Sequence, residues 1–355
     1  MNKKDIRITR KNKEWSFIRG KKKQIIKLVF VAAIVAAIVY TFRDSAKPIA
    51  EELVQTSWQV VLAICVASVL YELVEGWITY AFARHYNPAF RYRDGVESAF
   101  YCSFYRVATL GSGAGIAAIY YFHEKQIDYS KSTGMYMIEY VVHKVSIAIL
   151  SVLLLIFNFK FIEQNYRSYL WMLILGYGVT VVVACFLLLF CCSKHFHRLI
   201  LWLLGKLNEK LNGKLDRQST QVREYCGILE EATKDLLHDR KLIVTAVLKN
   251  LLKFSCWYAI PYLVLRTECD ITLSQGMAVM SLTAMLAAVI PAPAGIGSTE
   301  FVFTLLFSVL IGTGLAGSTS LLYRFATFVF PFLIGAVAAL NHQRKKRTQE
   351  QQKSY

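Results

Sequence analysis

The residues able to do chemistry in this sequence are ionisable groups embedded in apolar runs. Glu72 and Glu75 stand three apart in "LYELVEGW", Glu139 and His143 four apart in "IEYVVHKV", and Lys249 and Lys253 four apart in "LKNLLKF". Arg106 in "FYRVATLG", Glu300 in "GSTEF" and Arg324 in "LLYRFATF" complete the set. Spacings of three and four put each pair on one helix face, where two lysines repel unless an anion or acidic partners lie between them. A phospholipid phosphate would serve, and Arg106 and Arg324 offer paired N–H donors for the same group. The acids either neutralise these bases or receive an ammonium. Plainer roles stand beside these. Lys249 can snorkel to the inner surface, Arg106 and Arg324 can pair with Glu72, Glu75 or Glu139, and Glu300 can cap a helix start instead of touching a ligand. His143 reads as a packing or hydrogen-bonding residue. No HExxH, P-loop, CxxC pair or dinucleotide fingerprint occurs, so no metal, cofactor, catalytic residue or ATP-driven step is expected. The eight cysteines sit mostly in apolar runs, as small packing residues do.

The elements that must hold these groups follow from composition. The chain has 355 residues, 55% hydrophobic and only 18% charged, with a formal net charge of +17 and a mean hydropathy of +0.39. Soluble domains carry about a quarter charged residues. The balance fits a polytopic membrane protein with basic cytoplasmic segments, not a nucleic-acid binder. A spanning helix needs about 20 apolar residues, and six stretches qualify: 24–42, 58–82, 134–158, 169–193, 241–265 and 320–340. The run from Leu28 to Tyr40 reads as a first transmembrane helix, not a cleaved signal. Segments 99–122 and 273–312 are less regular. They carry "LGSGAG", with Gly111, Gly113 and Gly115, and "IPAPAGIGSTE", with Pro291, Pro293, Gly295 and Gly297. The expected fold is an all-α polytopic integral membrane protein: six full-span helices plus two Gly/Pro-broken helical hairpin elements, about eight spans.

Orientation follows the lysines and arginines. Residues 1–23 hold ten of them, as does 194–241. We therefore expect a basic cytoplasmic N-terminus (1–23), a membrane domain (24–340) and a basic cytoplasmic tail (341–355). Within the membrane domain, 194–240 reads as an amphipathic helix on the inner leaflet. Parity then requires 99–122 to enter and leave on one side, a re-entrant hairpin broken at "LGSGAG". Further on, 273–290 comes in, 298–311 goes out and 320–340 returns. Irregular backbone at membrane depth survives only where protein or a watery cavity satisfies it. A pair of Gly/Pro-interrupted segments points to a transport site, whereas small-residue motifs also serve close helix packing.

The two motifs carry a resemblance. "FYRVATLGSGAGIAAIYYFHEKQID" and "IPAPAGIGSTEFVFTLLF" resemble the two signatures of the lysylphosphatidylglycerol synthase transmembrane-region family, over roughly residues 20–340. Leu110 stands where the first motif often has proline, and Ala294 replaces the first glycine of the second motif's pair. The resemblance implies a flippase-like membrane half of the multiple peptide resistance factor, handling phosphatidylglycerol or its aminoacylated derivative and linked to resistance against cationic antimicrobial peptides. Two-part members also have a soluble domain that transfers lysine from lysyl-tRNA, and these residues contain no counterpart to it. The leading expectation is a lipid translocator in the cell membrane. Phosphatidylglycerol lysyltransferase activity, alone or with a separate soluble synthase, and a lipid-binding scaffold remain as alternatives. Beyond phospholipid, the partners left open are that synthase and a second copy of the chain; nucleic acid is not expected.

Overall fold

A computed structural model describes residues 46–210, 216–290 and 292–352, and among these the chain is helical with no strand. The expected span 24–42, Pro291 and the basic N-terminal segment lie outside the described residues. Helix α1 covers Ala46–Gln55, α2 Trp58–Tyr86, α3 Tyr92–Ala108, α4 Ala114–Glu124 and α5 Tyr129–Phe157. After α6 (Phe159–Tyr166) and α7 (Leu170–Cys192) come α8 (Lys194–Lys210), α9 (Asp216–Leu237), α10 (Arg240–Tyr258) and α11 (Ile260–Leu265). Helices α12 (Leu273–Val289), α13 (Ser298–Ile311), α14 (Thr313–Arg324) and α15 (Phe330–Gln352) complete the order, with a π-helical stretch at Phe325–Val329 joining the last two.

Four helical runs among the described residues are long and apolar enough to cross a membrane: Trp58–Tyr86, Tyr129–Phe157, Arg240–Leu265 and Thr313–Lys345. A fifth arises only if Phe159–Tyr169 and Ile174–Leu187, bent by 109°, are one broken span. The chain is therefore a multi-pass membrane protein. Local chemistry explains two departures from the expected boundaries. Run 241–265 is interrupted at Ala259, between α10 and α11, because Pro261 lacks the N–H that would continue the ladder. The last span starts earlier than 320, since Gly312, at φ +76°, turns the chain directly from α13 into α14.

The first broken element is a hairpin. Asp94, at the start of α3, meets Lys125, just past the end of α4, at 2.6 Å, and Asn87 Nδ2 donates to the Lys125 carbonyl at 2.8 Å. The segment thus leaves on the side it entered, as parity requires. Helix α4 has 11 residues, roughly 16 Å of rise, about half a hydrocarbon core. His342 of α15 reaches the same mouth, with Nδ1 3.4 Å from Glu97 and Nε2 2.5 Å from Glu124. The hairpin mouth and the end of the last span therefore share one side of the bundle.

The 194–240 segment is two helices, not one. Helix α8 leaves Leu199, Trp202, Leu203 and Leu207 exposed at spacings of three and four, an amphipathic apolar face. Helix α9 docks on α5, where an added Cβ on Gly134 would lie 2.4 Å from that of Ala232.

Two large apolar clusters form most of the interior. One gathers Ile64, Tyr71, Leu150, Phe254, Met280 and Phe303, the other Val74, Phe82, Tyr121, Met135, Val142 and Ala246. Helices α2, α5 and α10 pass through both. Helices α2 and α3 approach backbone to backbone: a Cβ on Gly95 would lie 2.2 Å from the Gly76 carbonyl oxygen. Gly95→Leu is expected to separate the two helices and destabilise the protein by more than the roughly 1–3 kcal/mol of an overpacked side-chain site, because backbone cannot yield. Monodispersity in detergent and thermal unfolding are the measurements. A variant as stable as wild type would contradict the close approach.

Candidate functional site

Between the two apolar clusters lies a charged layer. Glu72 stands at the middle of the 29-residue α2 and His143 at the middle of the 29-residue α5. Lys253 lies between Ala246 and Phe254 on α10, which belong to different clusters. Three separate helices thus bring ionisable groups to one depth, where isolated charge is costly.

The layer surrounds a partly open cavity of about 240 Å³, and Glu72, Glu75, Glu139, Arg106, Lys253 and Gly111, all singled out from the sequence, line it. Lys253 is fully buried. Its ammonium donates to Glu75 Oε2 at 2.7 Å and to His143 Nδ1 at 3.0 Å. Accepting at Nδ1 from an ammonium makes His143 the neutral tautomer with its proton on Nε2. Glu72 is held differently. Ser103 Oγ donates to Glu72 Oε1 at 2.7 Å and accepts from Arg106 Nη2 at 2.9 Å. The hydroxyl relays between guanidinium and carboxylate, which are 3.8 Å apart. The Arg106 guanidinium also lies 5.8 Å over Trp257, and Trp257 stacks on Tyr71 at 3.5 Å. Glu139 contributes the unbalanced group: its Oε1 is buried without a hydrogen-bond partner.

The break beside the cavity explains Arg106's position. Helix α3 ends at Ala108, two residues after Arg106, so the cation sits in the last turn, where the helix dipole favours it. Gly111 takes φ +97° and its N–H returns to the Arg106 carbonyl at 2.7 Å. Leu110 has φ +52°. Proline, locked near −65°, could not adopt that angle, so the turn observed here excludes proline at this position. Gly113 N–H donates to Thr109 Oγ1 at 2.6 Å, and a Cβ on Gly115 would press on Tyr136 of α5 at 2.7 Å.

The second break holds Glu300 and Arg324. Gly297, at φ +81°, precedes α13, and Glu300 Oε2 accepts its N–H at 2.9 Å. Glu300 Oε1 accepts from Arg324 Nε at 2.8 Å. The acid therefore caps the helix and anchors the arginine at once. Pro293 and Gly295 form the short 3₁₀ turn ahead of it. Arg324 is 8% exposed. Its guanidinium lies 4.0 Å over Phe328, yet Nη2 has no hydrogen-bond partner, and neither does Ser298 Oγ at the start of α13. The π-helical stretch begins immediately after Arg324, a distortion frequent at functional sites.

The two breaks are neighbours. Ile296 packs with Val107, Phe328 and Phe332, and Phe104 stacks on Phe332 at 5.4 Å. Lys249 stands apart. Its ammonium lies 4.3 Å over Trp77, a half-exposed ring, so the two lysines four residues apart have separate partners. Sequence reasoning passed over Ser103, Trp257, Ser298 and the His342 contacts with Glu97 and Glu124. A hydroxyl or an indole in an apolar helix carries no signal until its neighbour is known, and His342 lies more than 200 residues from both acids.

With this geometry established, comparison with known proteins fits it. The family profile described as "Lysylphosphatidylglycerol synthase TM region" matches residues 24–335. The chain belongs to that family. Both broken elements and every charged residue of the layer lie inside the matched region, and the family is one of membrane regions concerned with lysylphosphatidylglycerol. No curated protein matches the chain closely enough to be counted a relative.

Proposed function

We propose that this member of the lysylphosphatidylglycerol synthase transmembrane-region family is a flippase-like translocator of phospholipid headgroups, with aminoacylated phosphatidylglycerol as its preferred cargo. One observation carries the reading: two buried ionisable groups, a base at Arg324 Nη2 and an acid at Glu139 Oε1, lack hydrogen-bond partners inside the membrane domain. Buried polar groups are ordinarily satisfied, so each asks for a complement that arrives from outside. An aminoacyl-phosphatidylglycerol headgroup supplies both, a phosphate for arginine and an ammonium for carboxylate. Arg106, in the last turn before the first break, adds a second cation for the phosphate. The cavity, slightly below the roughly 300 Å³ of typical ligand pockets, is lined by Glu139 and Arg106 and receives the ammonium end of the headgroup, the phosphate reaching toward Arg324 at the second break while the acyl chains stay in lipid. Such cargo connects the protein to resistance against cationic peptides, because moving a cationic lipid to the outer leaflet lowers its negative potential.

Reconstitution tests this directly. Liposomes containing the protein and fluorescent lysyl-phosphatidylglycerol, phosphatidylglycerol or phosphatidylcholine are treated with dithionite, which destroys only outer-leaflet label. Quenching beyond that of protein-free vesicles is expected for the lysyl lipid first, then phosphatidylglycerol. Equal quenching with and without protein, for every lipid, would end the translocator reading.

A further inference from the structure

The cavity's charges do not balance. Glu72, Glu75 and Glu139 line it against Arg106 and Lys253, and His143 is neutral because it accepts from Lys253. Glu72 has Ser103 and Arg106, and Glu75 has the Lys253 ammonium. Glu139 is left over, with Oε1 buried and unpartnered. The other groups facing it bring no compensating charge. Tyr71 on α2, Cys102 on α3 and Tyr136 and Tyr140 on α5 are uncharged at neutral pH. Asn250 on α10 is neutral and has an orphaned oxygen of its own. Lys144 turns over the ring of Tyr140 at 5.4 Å. An unpaired carboxylate at this depth is expensive, and such a group takes up a proton instead.

We propose that Glu139 carries a proton in the empty cavity and releases it when a cationic headgroup arrives, so that lipid translocation is exchange of an ammonium for a proton. The inference rests on the translocator reading. In the step, the Glu139 O–H bond breaks and its proton leaves through water to the side from which the headgroup came. The carboxylate keeps the electron pair and takes the lipid ammonium as counterion. When the headgroup departs to the other side, Glu139 regains a proton from that side. Lipid and proton move in opposite directions, one positive charge replaces another, and nothing is oxidised or reduced. A pH gradient thereby becomes a driving force in a chain without a nucleotide-binding motif.

The test uses the full-length protein in vesicles with fluorescent lysyl-phosphatidylglycerol, a trapped pH dye and an imposed gradient of one pH unit. Wild type is expected to redistribute the lipid between leaflets by up to about tenfold, the ratio that one-for-one exchange allows per unit. The dye is expected to respond only when the aminoacyl lipid is present. Glu139→Gln is expected to move lipid more slowly, to an endpoint the gradient no longer shifts, with no dye response. Lipid movement by wild type that ignores the gradient and leaves the dye silent overturns proton exchange and leaves the translocator standing. Absence of any lipid movement overturns both. A glutamine variant as gradient-sensitive as wild type removes Glu139 from the role. Should that variant fail to fold, short-chain lysyl-phosphatidylglycerol titrated into detergent-solubilised wild type in weak buffer decides the matter. About one proton released per lipid bound is expected; binding without release overturns the exchange, and no binding counts against the headgroup site itself.

Discussion

Arg324→Ala is expected to abolish headgroup translocation while the protein remains folded in the membrane. Arg324 Nε is engaged by Glu300 and Nη2 is buried and free, so one edge of the guanidinium is anchored and the other is available. Removing the side chain takes away the phosphate donor. It also strips Glu300 of its cation, although the Gly297 N–H still satisfies the other carboxylate oxygen. Glu300 is partly open to its surroundings, with its side chain 24% exposed. The loss of stability should stay near the roughly 2 kcal/mol of one charge-assisted hydrogen bond, while transport falls to the protein-free baseline. Arg324→Lys separates charge from geometry. An ammonium cannot hold Glu300 and a phosphate on two edges as the planar fork does, so at least a tenfold slower initial rate is expected. The readout is the initial rate of dithionite quenching, normalised to reconstituted protein. Wild-type rates in Arg324→Ala would remove the second break from the mechanism.

The second large effect belongs to Lys253. Its ammonium is enclosed by Glu75 and His143, and its side chain is 1% exposed. Lys253→Ala leaves Glu75 without its cation and opens a void between the two apolar clusters. Breaking a buried pair from one side costs about 3–5 kcal/mol, and the lower part of that range is expected because Glu75 is 34% exposed. The double change Lys253→Met with Glu75→Gln removes both charges at nearly constant volume. It should recover most of the lost stability, as replaced buried pairs often do, with a non-additive coupling that marks direct interaction. Transport should not return with it, because the cavity's charge distribution has changed. Thermal unfolding in detergent and vesicle quenching, measured on the same preparations, separate the two effects. Recovery of both in the double variant would make Lys253 a structural residue only.

The residues themselves show why some of this was legible in advance. Glu72, Glu75, Glu139 and Lys253 announced themselves because a charge in a long apolar run has no cheap explanation. The hairpin at 99–122 followed from counting crossings between basic segments, and the Asp94–Lys125 contact matches it. The spacing of Lys249 and Lys253 was legible too, yet their partners were not. A separation of four residues sets a shared face, but which side of that face meets Trp77 and which meets Glu75 depends on how α10 rotates against α2. Ser103 shows the same limit. Its hydroxyl matters because Glu72, 31 residues earlier, lies opposite.

What the sequence determined by itself was class and inventory: an all-α membrane chain, two broken elements, and a short list of charges that had to face inward. Those conclusions rest on local quantities, namely hydropathy over a span, glycine and proline in the backbone, and the cost of charge in hydrocarbon. Tertiary structure alone decided the pairing. It joined Lys253 to Glu75 and His143, Arg106 to Glu72 through Ser103, and Glu300 to Arg324, and it left Glu139 Oε1 and Arg324 Nη2 without partners. A count of charges cannot reveal which one is unpaired, because pairing depends on distances across helices that are far apart in sequence and meet only when the bundle packs.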